Sequence, residues 1–235
     1  MLKYFVPASL AFLFMACGQQ GADKTATVSP DTTTTKQPVA DDTAGTVPLG
    51  AAKADEYSYK EIAGELPPAL ASFVPKGYIA MDTCSGDLNL DAYRDVLLVM
   101  RQNGEDSLSK LSDSTIKRRL LILTAQEDGS YRLAAQSDNA VYCYTCGGMM
   151  GDPFMGLVIK NGYFSIEHYG GSAWRWTRTI TFKYSPADST WCLHKDGHES
   201  FNVNDEKEKK TTKIYTVKNF GKVPFDKFDV YKDVE

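Results

Sequence analysis

Residues 173–184 read AWRWTRTITFKY, and their alternation decides the fold. Trp174, Trp176, Ile180, Phe182 and Tyr184 fall on one side of an extended chain, with Arg178 as the one charged member. Arg175, Thr177, Thr179, Thr181 and Lys183 fall on the other. A period of two describes a strand with one buried and one wet face, the pattern of an antiparallel sheet. Trp174 and Trp176 share their side with Ile180 and Phe182, so they read as core rather than as a platform for a sugar ring.

Outward from this strand, three dipeptides mark tight turns. Asp128-Gly129 joins a strand at Leu120–Leu123 to Tyr131–Ala135. Asn161-Gly162 joins Leu157–Lys160 to Tyr163–His168. Asp196-Gly197 is predicted to join Thr190–Lys195 to His198–Val203. A two-residue loop at Asn161-Gly162 pairs Ile159 with Phe164 and Leu157 with Ile166, four apolar side chains on one face. It also sets His168 opposite Met155. Val96–Met100 and Leu120–Leu123 are unbroken apolar runs, as in strands covered on both faces. Pro67–Pro75 (PPALASFVP) predicts a short helix with a proline start and a proline stop. Residues 104–118 read as a short helix or a long loop, Asp205–Lys210 as a solvated turn, and Lys213–Phe220 as a further strand. The fold class is therefore mainly β: one antiparallel domain of about eight strands, a sandwich or a strongly curled sheet, with one short N-terminal helix.

That domain occupies residues 57–235. Aromatic residues run from Tyr57 to Tyr231, whereas residues 18–56 contain none and are rich in Thr, Ala, Asp, Gly and Pro. Such a segment cannot bury enough apolar surface to offset its ordering entropy, so residues 17–56 read as a disordered tether behind Cys17. As a flexible coil its 39 residues after Cys17 would reach roughly 35 Å on average. Ahead of it, residues 1–16 carry one lysine, an apolar stretch from Tyr4 to Met15 and then Ala16. That order is a secretory signal, and its apolar run is too short to span a bilayer. Phe14-Met15-Ala16-Cys17 resembles the lipobox of bacterial lipoproteins, which implies cleavage before Cys17 and lipidation of its thiol. A multi-chain lipid holds a protein stably on a membrane. The expected location is the bacterial cell envelope, with the outer membrane favoured by Gly18 and the domain in the periplasm or at the cell surface.

Loss of residues 1–16 removes Lys3 and takes the net charge from −4 to −5. An acidic chain without a basic block argues against nucleic acid as a partner and against electrostatic docking on anionic lipid. The expected partners are the membrane, through the lipid, and an envelope protein or glycan ligand.

The sharpest motif is Gly86-Asp87-Leu88-Asn89-Leu90-Asp91-Ala92-Tyr93-Arg94-Asp95, which runs into Val96–Met100. Oxygens at the first, third, fifth and ninth positions of a tight loop can wrap one Ca²⁺, with a main-chain carbonyl from the seventh. Those positions are Asp87, Asn89, Asp91 and Asp95, with Tyr93 supplying the carbonyl. Hard oxygen donors of this kind suit calcium rather than zinc. The loop resembles the DxDxDGxxD loops of integrin-type FG-GAP repeats, which also lead into a strand. It departs from them at Ala92, where those loops carry glycine. An EF-hand would need a bidentate Glu where Leu98 stands. A polar turn that binds no ion is the competing reading.

Cys146-Gly147-Gly148, Gly151-Asp152-Pro153-Phe154, His168-Tyr169-Gly170-Gly171-Ser172 and Trp174-Arg175-Trp176 resemble a family of uncharacterised bacterial envelope lipoproteins. The resemblance covers about half of the folded part and brings no reaction with it. The surface around Gly147, Gly148, Asp152, His168 and Arg175 is the candidate ligand face.

Cys84, Cys143, Cys146 and Cys192 are four cysteines in an exported domain, which points to disulfides with three possible pairings. A zinc site and a redox role for the Cys143–Cys146 CxxC compete with that reading, although the loop that follows lacks a redox motif's helix. His194 and His198 form an HxxxH, and the expected hairpin turns their rings to opposite faces. The Gly147–Gly151 loop lacks the lysine and helix of a phosphate loop. No catalytic set assembles from sequence order. The functional expectation is a calcium-stabilised binding or assembly module rather than an enzyme. The alternatives are an envelope hydrolase using the Gly-rich loop and His168, and a thiol-disulfide protein using Cys143 and Cys146.

Overall fold

The computed structural model describes residues 66–111, 115–205, 207 and 209–232. The signal segment, Cys17 and the tether lie outside the described residues. Nine strands are described, in two antiparallel sheets that each follow chain order. The first sheet is β1 (Tyr78–Gly86), β2 (Asp95–Gln102), β3 (Arg119–Ala125) and β4 (Tyr131–Ser137). The second is β5 (Phe154–Lys160), β6 (Tyr163–Gly171), β7 (Trp174–Ser185), β8 (Thr190–Asn202) and β9 (Thr211–Thr216). The short helices are α1 (Pro68–Ala71), α2 (Glu105–Leu111) and α3 (Val217–Phe220).

The unbroken apolar runs are strands between two cores. In β2, Leu97 and Val99 face the second sheet, while Val96, Leu98 and Met100 face outward. In β3, Leu120 and Ile122 face inward and Leu121 and Leu123 outward. The register matches like with like: Leu97 lies opposite Ile122 and Leu98 opposite Leu121. A pleated strand sends successive side chains to opposite faces, so an all-apolar strand is stable only if both faces are covered. The outer face is covered by Leu70 of α1 together with Leu66, Phe73, Val74, Tyr78 and Tyr131.

In the second sheet, Asn161 and Gly162 both adopt positive φ (49° and 74°), as a two-residue type I′ turn requires. The turn sets the register read from sequence, with Leu157 opposite Ile166 and Ile159 opposite Phe164. Phe164 stacks on Phe182 at 5.0 Å between ring centres, and Phe225 meets both rings edge-on. Full burial of each such ring stabilises by roughly 1.5–3 kcal/mol.

Four sequence expectations are corrected. Asp196-Gly197 is not a turn, because β8 runs unbroken from Thr190 to Asn202. A bulge at His194 replaces it: Thr181 pairs with Lys195 and Phe182 with Leu193. The extra residue shifts the phase, so Leu193 and Asp196 both point inward. His194 then meets the outward Tyr163 ring, and His198 bonds the inward Asp196. The two histidines do face opposite ways, through the bulge rather than a hairpin. His168 lies opposite Phe154, because Met155 is itself a bulge residue. Lys213–Phe220 is a strand only to Thr216, where a capping box with Asn219 starts α3. Trp174 is 49% exposed rather than core. Phe225, Phe228 and Val230, to which no element was assigned from sequence, fill the inner core.

Candidate metal centre and the polar end of the sheets

Asp87, Asp91 and Asp95 place carboxylate oxygens within 4.8 Å of one another in the loop from β1 to β2. Calcium–oxygen bonds of about 2.3–2.6 Å put donors across one ion at most about 5 Å apart, so the three fit a single sphere. The main chain is already wound. Asp87 Oδ1 accepts from Leu90 N at 2.6 Å and Oδ2 from Ala92 N at 3.2 Å. Asp91 Oδ1 accepts from Tyr93 N at 2.9 Å, and Asn89 Oδ1 accepts from Asp91 N at 3.1 Å. Asn89 Nδ2 donates to Asp91 Oδ2 at 2.6 Å. Leu90 and Ala92 have φ of 67° and 70°. The sixth position thus takes the left-handed geometry that glycine normally serves, and alanine bears the strain there.

Asp95 is fully buried. It accepts from Leu88 N and from Ala125 N, each at 2.9 Å, and so ties the loop to β3. Burial pushes its carboxyl above the usual range, the two backbone donors work against that, and the Asp91 and Asp87 charges add to it. The loop also reaches the second sheet. Gly162 N donates to Asp87 O at 3.1 Å and Trp191 Nε1 to Leu88 O at 2.8 Å. Of the other two expected donors, Asn89 is bonded to Asp91 through both Oδ1 and Nδ2, and Tyr93 is exposed.

The predicted ligand face lies at the other end of β6. The turn from Tyr144 to Met150 packs on it, with positive φ at Gly148 (66°) and Gly151 (77°). Asp152 does not face solvent as a free carboxylate: Arg118 grips it through Nη1 at 2.7 Å and Nη2 at 2.5 Å. The same guanidinium bonds the buried Glu105 through Nε and Nη2. Burial opposes the Arg118 charge, but the bonds to Asp152 and Glu105 outweigh it and raise its pKa. His168 is sealed between Tyr142 and Phe154 and accepts from Tyr142 N at 3.4 Å. Burial, with the Arg178 and Arg118 charges, holds its imidazole down to about 3, so it stays neutral. Arg175 lies over the Tyr169 ring at 5.9 Å. Gly147 is buried against Pro153.

Cys143 and Cys146 are bonded to each other, and Cys84 and Cys192 are free thiols. The disulfide closes the turn that carries Gly147 and Gly148.

One network was not legible. Arg178, the odd residue on the apolar face of β7, donates Nε and Nη2 to Asp196 at 3.0 and 2.7 Å. Its Nη1 reaches Tyr142 Oη at 2.6 Å and Val230 O at 2.7 Å. His198 Nε2 lies 3.0 Å from the same Asp196. Burial works to raise the Asp196 pKa, but the bonds to His198 and Arg178 bring it below the usual carboxylate value. The lone arginine in the alternating stretch was the signal; its partner sat behind the misread turn.

Fold and loop define a two-sheet antiparallel β domain with one acidic, ion-sized loop. No protein-family model matches the chain, and a search of curated proteins finds no matching relative.

Proposed function

We propose that this protein is an exported lipoprotein, anchored in the bacterial envelope through Cys17, whose β domain is a calcium-stabilised binding or assembly module. The observation that carries the reading is the convergence of Asp87, Asp91 and Asp95 in a loop that also ties the two sheets together. An ion there would offset three mutually repelling carboxylates and fix the junction of both sheets. Hydrolysis through His168 is less well supported, since that ring is buried and Asp152 is spent on Arg118. The thiol-disulfide reading has the Cys143–Cys146 bond in its favour, but Cys143 is buried.

Calorimetric titration of the purified protein with Ca²⁺ tests the metal reading. Saturable binding, lost in Asp91→Ala, supports it. Absence of heat and of any change in melting temperature reduces the loop to a polar turn. Metabolic labelling with a radioactive fatty acid tests the anchor, which predicts incorporation that disappears in Cys17→Ser.

A further inference from the structure

The inner face of the second sheet is not covered along its whole length. Towards Trp176 and Ser200 it opens into a cleft of about 760 Å³. None of its ten lining residues is a purely aliphatic side chain; three are aromatic and seven polar. Ligand sites for apolar molecules are lined mainly by hydrocarbon. Rings beside hydrogen-bonding groups instead suit a molecule with flat apolar faces and a polar rim, which is a saccharide.

The aromatic wall is held in place. A Cβ on Gly170 would lie 2.5 Å from Trp176 Cζ2 and 3.0 Å from Gly147 Cα, so the indole rests directly on main chain. The Tyr142 ring meets it edge-on at 5.8 Å. Tyr142 is in turn fixed by Arg178, and Tyr215 by an edge contact with His198 at 5.7 Å. Preset rings lose little freedom when a ligand stacks on them.

The charges choose among saccharides. The carboxylate that lines the cleft, Glu199, is already committed to Lys210, and the buried Asp196 holds the lining residues Arg178 and His198. Lys213 has no carboxylate partner among the described residues. It lies opposite His198 in the register, on the same wall as Tyr215. In a chain of net charge −4, this cleft carries one positive charge unanswered among the described residues. His198, bonded through Nε2 to Asp196, stands on the same wall.

We infer that this cleft binds an acidic saccharide, with a sugar ring on Trp176 and its carboxylate at Lys213. The site lies at the opposite end of β7 from the acidic loop and does not depend on calcium there.

The test is titration of the purified full-length mature protein, followed by tryptophan fluorescence and calorimetry. The probes are a galacturonic acid tetramer and sialyllactose, with cellotetraose as the neutral control. The expected result is saturable binding of an acidic probe, weakened by salt and unchanged by a chelator. Trp176→Ala should weaken it at least about tenfold, as expected for an aromatic anchor. Lys213→Gln, an exposed change with no packing role, should weaken it about two- to fivefold, the size of an accessible ion pair. Binding of cellotetraose as tight as that of the acidic probes overturns the inference. So does absence of saturable binding to either acidic probe, or affinity unaltered by Lys213→Gln in a variant of wild-type melting temperature.

Discussion

Trp191 in β8 donates its indole N–H to the main-chain carbonyl of Leu88 at 2.8 Å, across 103 residues of chain. Both residues are buried. With the bond from Gly162 N to Asp87 O, this hydrogen bond couples the second sheet to the acidic loop of the first. Trp191→Phe keeps most of the ring and strands the carbonyl. The cost of an unmet buried acceptor is about 1–3 kcal/mol. Chemical denaturation should show that loss, and any calcium-induced change of fluorescence should shrink with it.

Ala92 offers a gain. Its φ of 70° disfavours any side chain, so Ala92→Gly should stabilise the metal-free protein by about 1 kcal/mol. Asp91 and Asp95 should separate in the same assay. Asp91 is exposed, so Asp91→Ala should abolish a calcium-dependent rise in melting temperature and change little else. Asp95→Ala should destabilise with or without calcium, because two buried N–H groups lose their acceptor.

Arg118 answers two carboxylates at once. Arg118→Met leaves Glu105 fully buried without its cation. Breaking a buried pair on one side costs about 3–5 kcal/mol. The double change Glu105→Leu/Arg118→Met should recover part of that loss. Equal melting temperatures for the single and double variants would contradict this account.

His168 makes the fold sensitive to acid. Its imidazole takes a proton near pH 6.5 when exposed, but in the fold only near 3. Between those values the unfolded chain binds more protons, so stability rises with pH across that window. The His168 contribution is complete above pH 6.5 and is lost as pH falls towards 3. Each unit of separation is worth about 1.4 kcal/mol. His168→Gln should flatten the stability profile in this range, as measured by urea midpoints at successive pH values.

The Cys143–Cys146 bond closes a loop of only four residues. Chain-entropy reasoning gives about 2 kcal/mol for so short a loop. Replacing both cysteines with serine should lower the melting temperature by roughly 4–8 °C. A fall of that size marks a staple. An unchanged melting temperature would leave thiol exchange as the better use of the pair.

Periodicity carried much of this fold. The alternation of residues 173–184 and the Asn161-Gly162 turn placed β5, β6 and β7 and their shared face. The apolar runs at Val96 and Leu120 announced strands covered twice. Asp196-Gly197 misled because both residues are paired on each side, with β7 and β9, and Asp196 is held inward by Arg178; only the partner strands distinguish that from a turn. Trp174 and Trp176 misled for another reason. A strand's period says which face a side chain takes, not how far along that face the opposing sheet extends. The acidic loop was legible because its donors lie close in sequence. The Arg118–Glu105–Asp152 and Arg178–Asp196–His198 networks were not, since their members meet only through packing.

Each sheet is contiguous in sequence, and this sets an order of assembly. Every strand pairs with its neighbour in sequence, so both meanders can form from contacts between adjacent elements. The cavity between them is a different matter, because Phe225, Phe228 and Val230 come from beyond the last strand. A nascent chain can therefore hold both sheets and still lack the plug that seals them. Closure waits for residues 225–230, so this core can be completed only after synthesis has passed residue 230.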